Sequence, residues 1–528
     1  MRFSIGRIGL VAAVVAVAVT PFPAAVAEGS AIPPVRGCAS LAGFAVPDVG
    51  SRITSAQPVT DAALHKDYCD VKGVTAPNTR FEIKLPVSSW QGRYLQEGCS
   101  AYCGAVPAMT PPMTISGLTC AAEYTGELVV GADDEGHTAP SVNDASWGEH
   151  DPGARVVFGR TSEHSLAQVS KAVIARYYGR PPAYSYFDGC STGGREALML
   201  AQRYPADFDG IVAGSPAANE APLGLLSAWL SRSNTDAAGH QIVTGEKLPA
   251  LHKAVLAACG NSDGVIADPR LCGFDPATLR CPAATDTAAC LTPSQVTAVG
   301  AFYRGPTDSH GRSLFNGGEP YGSELAWLGE MVQPAADTAA PGDTFASRIG
   351  LNYFKYLAFD RNPPPNFTLA DVHFTDAEFY ALDRLGRTLY NANNPDLRAF
   401  RAHGGKLIVY HGWADQAIPV WSTLDYYGAV ERAAGGFDSS QSFSRLYLLP
   451  ATYHCLFAPD GSLTTVDFVT PLMSWVEQSS APGGITADYG PGDRTVAPAD
   501  ALAPVHAAPG GLNSHYDYLG KITSYLPS

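Results

Sequence analysis

A serine flanked by small residues, in Gly189-Cys190-Ser191-Thr192-Gly193-Gly194, follows an aromatic, strand-like run at 183–187 and precedes a helix-forming run at 195–204 that Pro205 ends. Gly189 and Gly193 let the backbone turn sharply there, so the Ser191 hydroxyl would stand above the strand end while the next helix aims its positive N-terminus at a reacting oxygen. A serine placed in this way is suited to nucleophilic acyl transfer if a base reaches it. Thr452-Tyr453-His454-Cys455, after the strand-like run 445–449, offers His454. Cys190 immediately precedes the serine and Cys455 immediately follows the histidine. A disulfide holds its two Cα atoms within about 7 Å, so a bond between these cysteines would bring Ser191 and His454 within reach of each other. The orienting acid is expected between them in chain order, at the end of a strand. The apolar run 407–410 followed by His411-Gly412-Trp413-Ala414-Asp415 supplies it, and Asp415 is the expected acid.

The tetrahedral intermediate of acyl transfer needs backbone N–H groups aimed at its oxygen. The amide of Thr192, after the nucleophile, is one expected donor, and Cys99 or Ser100, on the loop 95–104 behind the strand-like run 92–95, would give the other. His164 and His411 do not fit the usual order of base after acid and are read as packing or supporting residues. Ile418, three residues beyond Asp415, would give an acyl pocket an aliphatic wall; a core role is equally compatible. Asp133-Asp134-Glu135-Gly136-His137 lacks the spacing of a twelve-residue calcium loop and reads as structural. Neither a dinucleotide-binding G-x-G-x-x-G nor a P-loop is present.

At these residues the chain resembles the tannase and feruloyl esterase family. The resemblance is carried by Tyr177-Tyr178-Gly179, Gly189-Cys190-Ser191-Thr192-Gly193-Gly194-Arg195, Phe208-Asp209-Gly210-Ile211, Gly214-Ser215-Pro216-Ala217, His411-Gly412-Trp413-Ala414-Asp415 and Tyr453-His454-Cys455, and runs from about Cys38 to the helix around Trp475, weakly in the middle and hardly at all beyond Ser480. It implies an α/β fold, an α/β-hydrolase core with a large inserted lid domain. It also implies a triad of Ser191, Asp415 and His454, with Cys190 and Cys455 bonded. Proximity and the resemblance together pair Cys38 with Cys69, Cys259 with Cys272 and Cys281 with Cys290. Cys99, Cys103 and Cys120 can then make only one bond among themselves. Relatives often carry glycines where Cys99 and Ser100 stand. They also typically hold a structural calcium in an aspartate-rich lid loop, whereas the loop 259–269 here offers only Asp263 and Asp268, which read as turn and cap residues. Calcium takes six to eight oxygens, and the expectation is that no cofactor or metal is used. The substrates implied are aromatic esters, hydroxycinnamoyl, galloyl or the half-ester of terephthalate, free or carried on plant polysaccharide or tannin.

The organisation that must position these groups follows from their spacing. Ser191 and Asp415 are 224 residues apart, Asp415 and His454 only 39, so a domain is inserted after the nucleophile's half of the sheet. The expected arrangement is a leader at 1–27, a first catalytic segment at 28–217, a lid at 218–394, a second catalytic segment at 395–480 and a loosely held C-terminal extension at 481–528. The lid's aromatic residues, Trp327, Phe345, Tyr353, Phe354, Tyr356, Phe359, Phe379 and Tyr380, are expected mainly to form its own core. Arg2 and Arg7 before the apolar run 8–19 and Ala25-Val26-Ala27 have the form of a cleaved secretory signal. That run is shorter than the roughly 20 residues that span a bilayer, and eleven cysteines suit export. A secreted enzyme that binds no membrane is therefore expected. The formal net charge of −15, without a basic cluster, argues against nucleic acid as a partner. Two rival classes share these residues: an acyltransferase that uses the same triad, and a catalytically silent binding module.

Overall fold

The computed structural model describes residues 30–500 except 63, 108, 110–119, 284, 335–342, 459–460 and 490–492. The expected leader and the residues beyond 500 lie outside them. Ten strands form one sheet: β1 (Ala45–Val46), β2 (Ser51–Asp61), β3 (Lys66–Thr75), β4 (Thr79–Pro86), β5 (Arg93–Glu97), β6 (Leu128–Asp133), β7 (Tyr184–Cys190), β8 (Gly210–Gly214), β9 (Lys406–Gly412) and β10 (Ser444–Leu449). Their order is β1-β2-β3-β4-β6-β5-β7-β8-β9-β10. The pairs from β1 to β4, and β4 with β6, are antiparallel; every pair from β6 onward is parallel.

The parallel strands are buried along almost their whole length because both faces are covered. Phe187, Ile211, Leu407 and Val409 face one side, where Leu166 and Val173, Leu198 and Leu200, and Leu424 and Val430 come from the helices Ser162–Tyr178, Thr192–Arg203 and Trp421–Ala433. Tyr186, Val212, Ile408 and Tyr410 face the other, against Leu472 and Trp475 of the helix Val469–Gln478. Strand order reverses between β5 and β7, and the crevice beyond the carboxyl ends of strands at such a reversal is where open α/β sheets place their sites. The loop 98–104, Ser191, Asp415 and His454 follow β5, β7, β9 and β10 at those ends.

The insertion lies between β8 and β9. Its helices Glu220–Ser233, Leu248–Cys259, Pro293–Arg304, Phe345–Asn352 and Asp376–Leu389 build two apolar clusters, one within the insertion and one shared with Tyr102, Ala145 and Phe158 of the first catalytic segment. Trp327, Tyr353, Phe354 and Phe379 are buried in them, and Tyr356, Phe359 and Tyr380 pack at their edge. The insertion sits on the core through Tyr102, whose hydroxyl donates to Ile349 O (2.9 Å), and Trp421, whose indole N–H donates to Gly318 O (2.7 Å).

Five disulfides are formed among the described residues: Cys38–Cys69, Cys190–Cys455, Cys259–Cys272, Cys281–Cys290 and Cys99–Cys103. Cys120 is left as a buried thiol. The segment after Ser480 differs from the expectation of a loose extension. Ile485–Asp488 pairs with Thr465–Val466 and Asp493–Val496 in a small antiparallel sheet, and Ala499 donates to Leu446 O of β10 (2.7 Å). Alternate residues Ile485 and Ala487 are buried against the core, a two-residue period masked by the surrounding Pro and Gly.

Candidate active site

Ser191 has φ +66° and ψ −118°, a left-handed conformation that costs a non-glycine residue about 1–3 kcal/mol and holds only where the surroundings dictate it. They do so here: Ser191 N donates to Gly214 O (3.0 Å), and Ser191 O accepts from the amides of Arg195 and Ala217 (both 3.0 Å). The close approach requires glycines. A Cβ on Gly189 would lie 2.7 Å from Gly193 Cα, and one on Gly194 would lie 2.3 Å from Gly214 O.

Asp415 is fully buried beyond β9. Its Oδ1 accepts from the amides of Ala417 (3.0 Å) and Ile418 (2.8 Å), and His454 Nδ1 bonds to both carboxylate oxygens, at 3.0 and 2.9 Å. His411 Nε2 lies 3.3 Å from Asp415 Oδ2 and 2.8 Å from Ile418 O, while its Nδ1 meets Thr423 Oγ1 (2.9 Å). Burial works to raise the Asp415 pKa, but His454 and His411 outweigh it and hold the carboxyl well below the usual range. The acid therefore stays ionised and fixes Nδ1 of His454, which turns Nε2 to the opposite side of the ring. Gln416 Oε1 also accepts from His454 N (3.2 Å). The Cys190–Cys455 disulfide, with a Cα separation of 5.8 Å, ties the histidine turn to the serine turn. Ser191 Oγ makes no hydrogen bond among the described residues, and catalytic contacts of this kind commonly tighten only on substrate binding.

Of the amides expected in the oxyanion hole, Thr192 N is free at the start of its helix, and its Oγ1 donates to Ala101 O (2.6 Å). Cys99 N is not available. It donates to Glu196 Oε2 (3.0 Å), which removes it as an oxyanion donor, while Cys99 O accepts from Gly193 N (2.9 Å). The amides of Ser100 and Ala101, next along the loop, donate no hydrogen bond among the described residues.

The family model for tannase and feruloyl esterase matches residues 62–504. The chain belongs to the tannase and feruloyl esterase family. A mono(2-hydroxyethyl) terephthalate hydrolase from Piscinibacter sakaiensis is 33% identical over 508 residues, covering 84% of this chain and 81% of that protein. A probable feruloyl esterase from Arthroderma benhamiae is 28% identical, covering 79% of this chain and 78% of that protein. In fold, the chain is similar to feruloyl esterase B from Aspergillus oryzae, with a TM-score of 0.72 at 23% identity over 86% of this chain and 93% of the other. It is also similar to a tannin acyl hydrolase from Aspergillus niger, with a TM-score of 0.66 at 20% identity over 86% and 91%. As a member of this family the chain is a carboxylic ester hydrolase. The match also runs past Ser480, where the resemblance was expected to end.

In this family member the lid loop at 259–269 does not converge on a calcium cage. Asp268 turns both oxygens to Arg270 (2.6 to 3.0 Å), Asn261 Oδ1 is occupied by the amides of Asp263 and Val265, and Asp263 is exposed. Of two other clusters with ligand-type side chains among the described residues, Cys99 and Cys103 beside Glu196 are bonded to each other and offer no thiolate. In the second, Asp133 accepts from Ser162 Oγ and Glu135 N, and Glu163 accepts from Gln96. Asp134 binds Arg80, and His137 stacks on Trp147 with Nε2 on Tyr102 O (2.7 Å), so the 133–137 segment braces the loop 98–104. His164 pairs with Asp207 (2.6 Å) and stacks on Tyr204. Ile418 is buried, with its backbone serving Asp415 and His411. Sequence reasoning did not foresee the roles of Glu196, Gln416 and Thr423, or the contact of His411 with the acid. The four-residue spacing of His411 and Asp415 was the only trace of that contact.

Proposed function

We propose that the chain is a secreted serine esterase that cleaves aromatic esters, hydroxycinnamoyl, galloyl or related, through an acyl-enzyme. What supports this most is the buried Asp415–His454 pair, fastened through Cys455–Cys190 to the turn that presents Ser191. His454 Nε2 takes the Ser191 proton as Oγ bonds to the ester carbonyl carbon, and the carbonyl electron pair moves to oxygen. Thr192 N and a free amide of the 100–101 turn receive that oxyanion. Collapse breaks the bond to the alcohol oxygen, which leaves with the proton from His454. Water then adds in the same way and releases the acid, restoring Ser191. Asp415 remains a carboxylate throughout, and no step calls on a cofactor.

The substrate class rests on the relatives, whose names include a terephthalate half-ester hydrolase and feruloyl esterases. Export rests on the five disulfides, which persist in oxidising compartments. No helix among the described residues is long and apolar enough to cross a membrane. Turnover of methyl ferulate, methyl gallate and a terephthalate half-ester, with added alcohols as competing acceptors, tests both substrate and reaction. Hydrolysis of at least one aromatic ester, with acid as the main product, is expected. Inertness toward all three, or transfer to alcohol in preference to water, contradicts the proposal.

A further inference from the structure

We propose that Glu196 is a positioning residue whose carboxylate sets the loop 98–104 against the Ser191 turn, so that the amides of the 100–101 turn face the reacting carbonyl oxygen. This rests on the reading of Ser191 as the nucleophile. Glu196 lies on the helix that Ser191 caps, five residues after it, and is 3% exposed. One carboxylate oxygen accepts the Cys99 amide at 3.0 Å; the other lies 3.1 Å from Cys99 Sγ and 3.9 Å from Cys103 Sγ, along the disulfide. The same helix start holds the loop at two more points, through Gly193 N on Cys99 O (2.9 Å) and Thr192 Oγ1 on Ala101 O (2.6 Å).

Gly98 is part of the same fit. A Cβ there would lie 2.7 Å from Glu196 Oε2 and 2.6 Å from Gly193 Cα. Cys99 thus has both backbone polar groups committed to the nucleophile helix, and the loop's free amides are displaced one and two residues onward. Ala101, at φ +48°, turns the chain there, and a left-handed residue is what lets successive N–H groups converge on one anion. The cystine closes the loop over four residues and limits its movement once Glu196 has fixed Cys99. Nucleophile and oxyanion donors are therefore mounted on one helix start, and a shift of Glu196 would move one relative to the other.

Glu196→Asp and Glu196→Gln separate reach from charge. Aspartate keeps the charge but is one methylene too short to hold Cys99 N. Glutamine keeps an acceptor oxygen for Cys99 N and removes the charge, whose nearest cation is Arg195 at 3.8 Å. Misplaced oxyanion donors cost on the order of a hundredfold in rate. Glu196→Asp is therefore expected to lose about a hundredfold in kcat with KM within about threefold of wild type, and to weaken an arylboronic acid, a mimic of the tetrahedral intermediate, in parallel. Glu196→Gln should remain within about tenfold of wild type. Wild-type kcat in Glu196→Asp, a loss confined to KM, or a glutamine variant as impaired as aspartate would overturn the role. Ser191→Ala, assayed alongside, keeps the two readings apart. Turnover retained there removes the nucleophile itself, whereas a dead Ser191→Ala beside a normal Glu196→Asp removes only the positioning role.

Discussion

At the residue scale, Asp415 accepts two backbone amides and two imidazoles without exposure to water, which fixes both its charge and its direction. Asp415→Asn would present an amide N–H to His454 Nδ1 and favour the wrong tautomer, so kcat should fall about 10³- to 10⁴-fold with the fold intact. Steady-state kinetics with a circular-dichroism check measures this, and a loss under tenfold would contradict the assigned orientation. Stability carries a second signature. A carboxyl whose pKa is depressed on folding stabilises the protein above its unfolded value, about 3.9, and that contribution is lost as pH falls through the folded value. The stability gap between wild type and Asp415→Asn should be full at pH 6 and shrink below about pH 4 in denaturant titrations. The placement of Ser191, Asp415 and His454 beyond strand ends was legible in the sequence because each stands a few residues after an apolar run. The reach of Glu196 was not, nor was it legible that, of the two amides expected as alternatives, Cys99 or Ser100, the first is engaged by it, because a carboxylate reaching from one element to another's backbone leaves no local pattern.

At the element scale, the helix Thr192–Arg203 carries much of the site. Its buried Arg195 donates to Phe158 O and Gly159 O in the wide π turn Val157–Thr161 and stacks over the Phe158 ring. Gly194, in the same turn of helix, abuts the end of β8. Gly194→Ala must push its new methyl into Gly214 O and the Pro216 backbone, and overpacking of this kind costs about 1–3 kcal/mol. A drop in the denaturation midpoint together with reduced turnover is expected, and an unchanged midpoint would contradict the packing argument. Removing Cys190–Cys455 by Cys190→Ala with Cys455→Ala should lower kcat by on the order of a hundredfold, since about 1 Å at the reacting groups suffices. Cys281→Ala with Cys290→Ala, in the lid, should leave kcat within about threefold; equal losses in both pairs would remove the special role of the first. The strands β7, β9 and β10 could be read from their apolar runs. The π turn and the paired strands Ile485–Asp488 and Asp493–Val496 could not, because the first depends on Arg195 as an anchor and the second on pairing with Thr465–Val466 earlier in the chain.

At the scale of the whole molecule, the insertion was legible from the unequal spacing of the three catalytic candidates, while the apolar cluster it shares with Tyr102, Ala145 and Phe158 was not. The molecule also buries many carboxyls. Burial is the main force that pushes Asp133, Asp188 and Glu220 up to about 7 and Glu123 up to about 8. Groups that hold protons more tightly when folded make the native state bind extra protons from about pH 4, the unfolded value, up to their folded values, so stability falls as pH rises across that window. Thermal unfolding should therefore occur several degrees lower at pH 8.5 than at pH 5, and a rise across that interval would contradict the burial of these acids. The central claim concerns one atom, Ser191 Oγ, and one measurement reaches it directly: mass spectrometry of the protein after reaction with a fluorophosphonate. A single adduct on Ser191, formed in step with loss of esterase activity and absent from a folded Ser191→Ala variant, is the predicted result. Labelling at another serine with Ser191 unmodified, or turnover surviving in Ser191→Ala, would contradict the account.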